Sequence, residues 1–352
     1  MRLFGFYALI AVAVAGYSGY WFILADRAEA VIDARAAAWH DDGLVLSYDE
    51  RRVHGYPYRL SSEFKGFALE KAGDGAGDGA DDAASGAWRW HGEQLTIHGE
   101  PWNLRHYIAV LTGTNRIEWE SPIGLLRFDA IAEAARASVI LDDRYRADQA
   151  SVEVRDLEVR PVDGTTTLTA ALIQIHARRP ETDPAALDAA LLIERLVLPD
   201  GTGGALGDEI AQVSFDGTAS GPLPKRFEPG ALAAWRDSGG VLDTHSLALD
   251  WGPVRIEADG ALTLDAALRP QGAFTARIVG HDVLIDILRA EGTISKDVAK
   301  VLRFTFALLS VRPDDGGPPT LTIPITIQNG WLSAGPVPVF QVHPILTAPA
   351  TG

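Results

Sequence analysis

The chain has 352 residues, with 47 acidic against 31 basic side chains, a formal net charge of −16 and no cysteine. The absence of cysteine excludes disulfides, thiolate zinc sites and cysteine nucleophiles. The negative charge repels phosphate backbones, so we expect no nucleic acid among the partners.

An apolar run from Leu3 to Ala25, without one charged side chain, opens the chain. At a helical rise of about 1.5 Å per residue it reaches roughly 34 Å, enough to cross a hydrocarbon core of about 30 Å. We therefore predict a transmembrane signal-anchor helix over residues 1–25. The run is longer than a signal-peptide core, and Tyr17, Tyr20 and Trp21 near its end are typical of an interfacial aromatic belt, so a retained anchor is favoured over a cleaved one.

The charges that flank the run predict its orientation. Arg2 and the free amine precede it, whereas Asp26 and Glu29 offset Arg27 on the far side. The positive-inside rule then leaves the amino terminus in the cytoplasm. We predict a single-pass protein of the inner membrane with the bulk of the chain in the periplasm.

Residues 26–42 are rich in Ala, Arg and Glu and predict a helical stalk. Its apolar stripe, at spacings of three and four, should lean on the first strands, and Asp41-Asp42-Gly43 should end it. The stripe consists of Ala28, Val31, Ile32, Arg35 and Trp39.

From Leu44 onward the hydrophobic period is two, and residues 43–352 predict a single large β-rich domain. Val254 to Asp265 alternates between an apolar side and a polar side, and Leu321 to Gln328 repeats the pattern. Half-apolar strands in long succession indicate an antiparallel sheet. The fold class is therefore mainly β, with an extended, curved antiparallel sheet that forms a groove, an open barrel or a sandwich. Gly73–Gly86 reads as a flexible Gly/Asp loop, and Arg312–Thr320 as a second loop.

Three short helices interrupt the strands. Pro229–Ser238 should end at Gly239-Gly240, and Asp282–Glu291 should start with Asp282 as its N-cap. The third, Ser295–Ser310, is the most amphipathic stretch. Its predicted apolar side consists of Ile294, Val298, Val301, Leu302, Thr305, Leu308 and Leu309.

No pattern of residues identifies a reaction. The nine histidines form no H-x-H or H-x-x-x-H pair, and His91, His98 and His106 fall on what read as separate strand segments. The acidic pairs Asp41-Asp42 and Asp142-Asp143 lie beside turns, where adjacent carboxylates suit solvation better than acid–base chemistry. We predict no catalytic, cofactor-binding or metal-binding residue, no cofactor and no enzymatic activity.

Three segments resemble one bacterial family. His54 to Arg59 (HGYPYR) resembles the "G-[FY]-P-[FY]-[RK]" signature of the domain of unknown function 2125 family, and Trp251 to Gly272 resembles its "G-x-L-x-L-D…P-x-G" element. Ile323 to Pro338 is similar to its closing "N-G-x-L…G-P-x-P" strand. These motifs are structural glycines and prolines at strand turns, so they imply architecture and carry no catalytic role. The pattern is also similar to that of AsmA-like envelope proteins, and this wider resemblance implies a role in moving or organising lipids.

Two functions follow as hypotheses. The first is a membrane-anchored envelope protein whose β-groove binds or shuttles lipid acyl chains in envelope maintenance. The alternative is a non-enzymatic periplasmic scaffold that binds other envelope proteins through a wet face or a sheet edge. The expected partners are the membrane, lipid and other envelope proteins. An open apolar groove favours the first hypothesis and a filled core favours the second.

Overall fold

The computed structural model describes residues 2–72, 86–121, 124–224, 227–312 and 316–346. The predicted Gly/Asp loop over 73–86 lies outside these residues except for Gly86, and so does part of the predicted loop over 312–320. The contacts divide the chain into two compact units, Met1–Leu168 and Thr169–Gly352. Two compact units can belong to one folding domain, so the single domain over 43–352 stays a prediction.

Unit 1 consists of one long helix and eight strands among its described residues. The helix is α1 (Arg2–Asp41), and the strands are β1 (Leu44–Ser47), β2 (Glu50–His54), β3 (Leu60–Lys71), β4 (Trp88–Glu100), β5 (Asn103–Ser121), β6 (Gly124–Ile131), β7 (Ala134–Leu141) and β8 (Ala147–Pro161). Strands β1 and β2 both pair with β3, which continues through β4 to β5. Strands β6 and β7 both pair with β5, and β8 pairs with both of them. Each of these pairings is antiparallel.

Unit 2 begins as a meander and ends with short strands around two helices. Its strands are β9 (Leu168–Arg178), β10 (Leu187–Val197), β11 (Glu209–Ser220), β12 (Val241–Trp251), β13 (Val254–Leu264), β14 (Pro270–Val279), β15 (Ser310–Val311), β16 (Thr320–Gln328), β17 (Trp331–Ala334) and β18 (Val337–Gln341). Its helices are α2 (Pro229–Asp237), α3 (His281–Ala290) and α4 (Lys296–Leu309). Strands β9 to β14 pair in chain order, β16 pairs with β14, β15 and β17, and β18 pairs with β17, all antiparallel. The predicted mainly-β class with an antiparallel sheet and a few helices is confirmed.

Helix α1 joins the predicted anchor and the predicted stalk without a break. It ends where Gly43 adopts a left-handed φ of 77° and its N–H donates to the carbonyl of His40. Within the described residues, no helix has both the length and the apolar character that crossing a membrane requires. The end of the apolar run packs on unit 1, because Trp21, Leu24 and Ala25 are buried against Leu60 of β3.

The predicted stalk stripe is wrong in part. Ala28 and Ile32 are half-buried, as predicted, but Val31, Arg35 and Trp39 are exposed. The residues of α1 that pack on the sheet continue the line of Trp21, Leu24 and Ala25. This line points in a different direction from the predicted stripe.

Strand β13 confirms the predicted alternation. Val254 and Leu264 are buried and Ile256 and Ala258 are half-buried, while Arg255 and Glu257 between them are exposed. The apolar side of the strand therefore faces a core and the polar side faces solvent.

Two helix predictions need correction. Helix α3 has Gly280 as its N-cap, with φ 75°, and not Asp282, because the chain turns out of β14 so tightly that an added Cβ would lie 2.2 Å from the carbonyl oxygen of Pro253. Helix α4 carries two apolar stripes, and the one that packs contains Ala299, Leu302 and Phe306. The predicted members of its apolar side that are exposed are Val301, Leu308 and Leu309.

The densest core lies in unit 2, where α3 and α4 cover strands β14 and β16. Leu321 and Ile323 of β16 are fully buried there beside Ile285 of α3 and Leu302 of α4. These helices cover one part of an apolar sheet face. The rest of that face lies on strands β9 to β12.

Candidate functional site

An apolar cleft lies between α1 and the sheet of unit 1, and we name it the α1 cleft. Its volume is 330 Å³. Helix α1 contributes Leu24, Arg27, Ala28, Val31 and Ile32 to its walls. Strands β3 to β5 contribute Leu60, Ser62, Ile97, Gly99, Leu104 and Tyr107. Arg27, exposed at the rim, is the one charged side chain among these lining residues.

Strand register explains why the floor of the cleft is apolar. Ser62 pairs with Ile97, and Ile97 pairs with Ala109, so directly opposed residues put their side chains on one face. Gly99 pairs with Tyr107, and its missing side chain lets the tyrosine ring lie against the backbone, since an added Cβ would stand 3.3 Å from that ring. The floor is therefore flat where the ring lies.

Hydrogen bonds from aromatic side chains fix α1 at one end of the cleft. The hydroxyl of Tyr17 donates to the carbonyl of Pro57 at 2.5 Å, and Trp21 Nε1 donates to the carbonyl of Arg59 at 2.9 Å. The hydroxyl of Tyr20 donates to the carbonyl of Pro101 at 2.8 Å. These three hydrogen bonds, made to two different turns, fix the position of α1 along its axis relative to the sheet.

An ion pair holds the helix further along. Arg51 of β2 donates to Asp33 of α1 at 2.5 Å and lies 3.9 Å from Glu29. The hydrogen bond from Arg51 lowers the pKa of Asp33 and raises that of the arginine. The helix is thus attached at both ends of the cleft, and the space between stays open.

Two titratable side chains of β4 and β5 favour their neutral forms. Burial raises the pKa of Tyr107, whose hydroxyl donates to the carbonyl of Leu104 at 2.8 Å. Burial, and then the charge of Arg59, lowers the pKa of His98, and that ring hydrogen-bonds Ser61 at 2.9 Å. A neutral, apolar cavity is suited to an apolar ligand rather than to charge chemistry.

Unit 2 carries a second apolar surface, which we name the β9–β12 face. Its residues form rows across four strands. One row consists of Ile175, Leu191, Phe215 and Leu247, and the next consists of Ile173, Ile193, Val213 and Leu249. Ile175 and Leu247 are exposed and the other six are half-buried. Val213 of β11 and Leu249 of β12 are paired directly, so the apolar sides of these strands adjoin.

Two of the three histidines considered as metal ligands, His98 and His106, hydrogen-bond serine side chains. His106 hydrogen-bonds Ser138 at 3.0 Å. In the part of the chain that the structure describes, no group of three His, Asp or Glu side chains is placed to hold a metal ion. Asp142 accepts hydrogen bonds from the backbone N–H groups of Arg144 and Arg146, at 2.8 and 2.9 Å, so it organises a turn.

Sequence patterns did not predict the cleft. The stalk over residues 26–42 was expected to lean on the first strands, but its predicted stripe included Arg35 and Trp39, which are exposed, and the predicted anchor included Leu24, which lines the cleft. A usable signal was the spacing of Trp21, Leu24, Ala25 and Ala28, which places four small or apolar residues on one helix face.

The family model described as an uncharacterised protein conserved in bacteria, DUF2125, matches residues 21–343. No curated protein and no solved structure matches the chain.

Proposed function

The chain belongs to the DUF2125 family of bacterial proteins, and on this basis we propose that it is a membrane-anchored envelope protein that binds lipid acyl chains. The α1 cleft is the observation that carries the proposal. A volume of 330 Å³ lies within the range of about 300–1,000 Å³ that small-molecule sites have. Its walls are apolar, so each methylene buried there would contribute about 0.8 kcal/mol.

The β9–β12 face extends the same argument to unit 2. Ile175 and Leu247 are exposed within rows of apolar side chains, and soluble domains rarely leave contiguous apolar surface uncovered unless something binds it. We propose that this face forms part of a groove along which acyl chains lie. The wider resemblance to AsmA-like envelope proteins belongs to the same proposal.

The proposed location is the inner membrane, with one pass, the amino terminus in the cytoplasm and the bulk of the chain in the periplasm. Support comes from the uncharged run Leu3 to Ala25, from Arg2 before it and from the absence of cysteine, which suits an oxidising compartment. We propose that the membrane is a lasting partner of the protein.

Photo-crosslinking in intact membranes tests the lipid hypothesis. The full chain is produced in a bacterial host fed a fatty acid that carries a diazirine, the membranes are irradiated, and modified peptides are located by mass spectrometry. We expect crosslinks on peptides that contain Ile97 and Leu104, which face the cleft.

A matched pair of substitutions provides the control. Ala28→Phe places a large ring inside the α1 cleft, whereas Ala37→Phe places the same ring on the exposed side of α1. We expect the first variant to lose the crosslinks at Ile97 and Leu104 and the second to keep them, with equal thermal unfolding temperatures. Cleft crosslinks that are absent from the wild type, or that survive Ala28→Phe, would contradict lipid binding in this cleft.

The exposed stripe on α4 favours the scaffold as a second candidate. Val301, Phe304 and Leu308 follow one another at spacings of three and four, and all are exposed. A helix of another envelope protein could pack on such a stripe. The scaffold predicts that a photoreactive residue at Phe304 and one at Leu308 crosslink the same envelope protein, and that one at Glu181, exposed in the turn between β9 and β10, does not.

A further inference from the structure

Every hairpin turn at one end of unit 1 exposes an aromatic side chain. The turn between β2 and β3 exposes Tyr56 and Tyr58, the turn between β4 and β5 exposes Trp102, and the turn between β7 and β8 exposes Tyr145. The exposed fractions of the last three are 74%, 63% and 68%. Large aromatic side chains at three separate turn tips are unusual for a surface that meets only water.

Strand register places these turns at the same end. Leu60, the first residue of β3, pairs with Gly99 near the end of β4. His106, near the start of β5, pairs with Ile140 near the end of β7. The three turns are therefore neighbours along one edge, which we name the aromatic rim.

Helix α1 leaves unit 1 at the aromatic rim. The bonds of Tyr17 to Pro57 and of Tyr20 to Pro101 tie the helix to two of the three turns. The helix continues to Arg2 beyond this point, with Ile10, Val12 and Val14 exposed. The rim thus borders an apolar helix that projects away from the sheet.

The length of this projection decides how close the rim comes to a bilayer. Residues 2–16 extend about 22 Å at the helical rise, against a hydrocarbon core of about 30 Å. The predicted anchor included Tyr17 to Ala25, but in this stretch Tyr17, Tyr20, Trp21, Leu24 and Ala25 bond to the turns or pack on the sheet of unit 1. A helix this short reaches across a bilayer only if the end of the domain is drawn into the headgroup region.

The charge of the rim differs from that of the chain. The turns carry four arginines, Arg59, Arg105, Arg144 and Arg146, and three acidic residues, Glu100, Asp142 and Asp143, in a protein with a net charge of −16. Arg105 and Arg146 pair with aspartates, whereas Arg59 and Arg144 form no ion pair with any described residue. The rim therefore carries two arginine side chains, Arg59 and Arg144, that are available to anionic groups.

We propose that the aromatic rim inserts into the headgroup interface of an anionic lipid bilayer and seats unit 1 on the membrane surface. Tyr and Trp rings prefer this interface because one part of the ring system is apolar and the other hydrogen-bonds. The inference rests on the proposed function, and it adds a route. The α1 cleft begins at Leu24, one helical turn from Tyr20, so a bilayer at the rim would bring acyl chains close to the cleft.

The absence of cysteine makes the test direct. Tyr58→Cys, Trp102→Cys and Tyr145→Cys are made singly in the full chain, labelled with the environment-sensitive fluorophore NBD and reconstituted into vesicles of phosphatidylethanolamine and phosphatidylglycerol. Glu120→Cys is the matched control, because Glu120 is exposed near the end of β5, where it pairs with Leu125 at the opposite end of the same sheet.

We expect the NBD emission of the three rim labels to rise severalfold and shift to the blue, and a lipid with a nitroxide near its headgroup to quench them. The Glu120→Cys label should do neither. Rim labels that behave as in water, or a control label that responds as strongly as they do, would overturn the proposal. Cleft crosslinks are scored on the same preparation, so a silent rim with intact crosslinks rejects the rim alone, and a responsive rim without crosslinks rejects lipid binding alone.

Discussion

Two leucines on α4 give a sharp test of the structure, because the apolar periodicity of the sequence places them on the same side of the helix. Leu302 is 1% exposed and belongs to the cluster that contains Leu321 and Ile323, whereas Leu308 is 70% exposed. Leu302→Ala removes buried methyl groups and leaves a cavity between helix and sheet, which costs about 2–5 kcal/mol in tightly packed cores. We expect the upper half of that range, because fully buried neighbours on β16 cannot move to fill the space.

The same substitution at Leu308 should change the free energy of unfolding by less than about 0.5 kcal/mol, because the side chain is in solvent and alanine is an excellent helix former. The assay is thermal unfolding of the full chain in mild detergent, followed by circular dichroism. Leu302→Ala should lower the midpoint by roughly 4–20 °C, as expected for a unit of this size, and Leu308→Ala should leave it unchanged. Equal losses from both changes would refute the assignment of the packed stripe to Ala299, Leu302 and Phe306.

Three further predictions concern the rim and the docking of α1. Gly55→Ala should cost about 1–3 kcal/mol, because Gly55 has φ 107° and an added Cβ would lie 2.8 Å from the carbonyl of Arg59. Gly16→Ala, on the open side of α1, should be neutral or stabilising in the same thermal scan. Trp21→Phe should cost about 1–3 kcal/mol through the unpaired carbonyl of Arg59, and should raise hydrogen exchange in α1, whereas Phe22→Leu on the exposed side should not. The pKa of Asp142 is lowered to about 2, chiefly by the hydrogen bond from the backbone N–H of Arg146 and then by that residue's side chain. Since the folded-state pKa is the lower one, the contribution of Asp142 to the turn is present above its ordinary value of 3.8 and is lost as the pH falls towards 2. A carboxyl titration by NMR with a midpoint near 4 would contradict this.

The strands could be predicted from the sequence because their signal is local. Val254 to Leu264 alternates residue by residue, and the structure places the apolar members inward. Periodicity of two needs only a sheet with one covered face, and it does not depend on which element covers it. For the same reason it predicts half-apolar strands but does not identify which residues of α1 pack on the first of them, and there the predicted stalk stripe was wrong in part.

The helices could be predicted in position but not in orientation. On α4, Leu302 and Leu308 differ by six residues, which places them about 120° apart around the helix, yet each has apolar neighbours at spacings of three and four, so the prediction put both on one apolar side. Because the helix has two apolar stripes, tertiary contacts decide which of them is buried. The contacts that decide it, with Ile285 of α3 and Ile323 of β16, are distant in sequence.

Two turns show a motif that composition alone conceals. Asp142 and Asp265 each accept two backbone N–H bonds and a guanidinium bond from the arginine four residues later, Arg146 and Arg269. The residue before that arginine has a left-handed φ in both turns. Asp265 is the aspartate of the "G-x-L-x-L-D" resemblance, so the family signature here has a structural role as a turn organiser.

The apolar run at the start of the chain serves two purposes, and hydropathy cannot separate them. Every residue from Leu3 to Ala25 suits a membrane by composition, but burial also suits an apolar residue that packs on a sheet. Hydrogen-bonding side chains distinguish the part of the run that packs on the sheet from the part that does not. Tyr17, Tyr20 and Trp21 each donate a hydrogen bond to a backbone carbonyl of unit 1. Those donors would be satisfied equally well by water or headgroups at an interface, so the same three residues mark both the end of the free helix and the level at which we place the membrane surface.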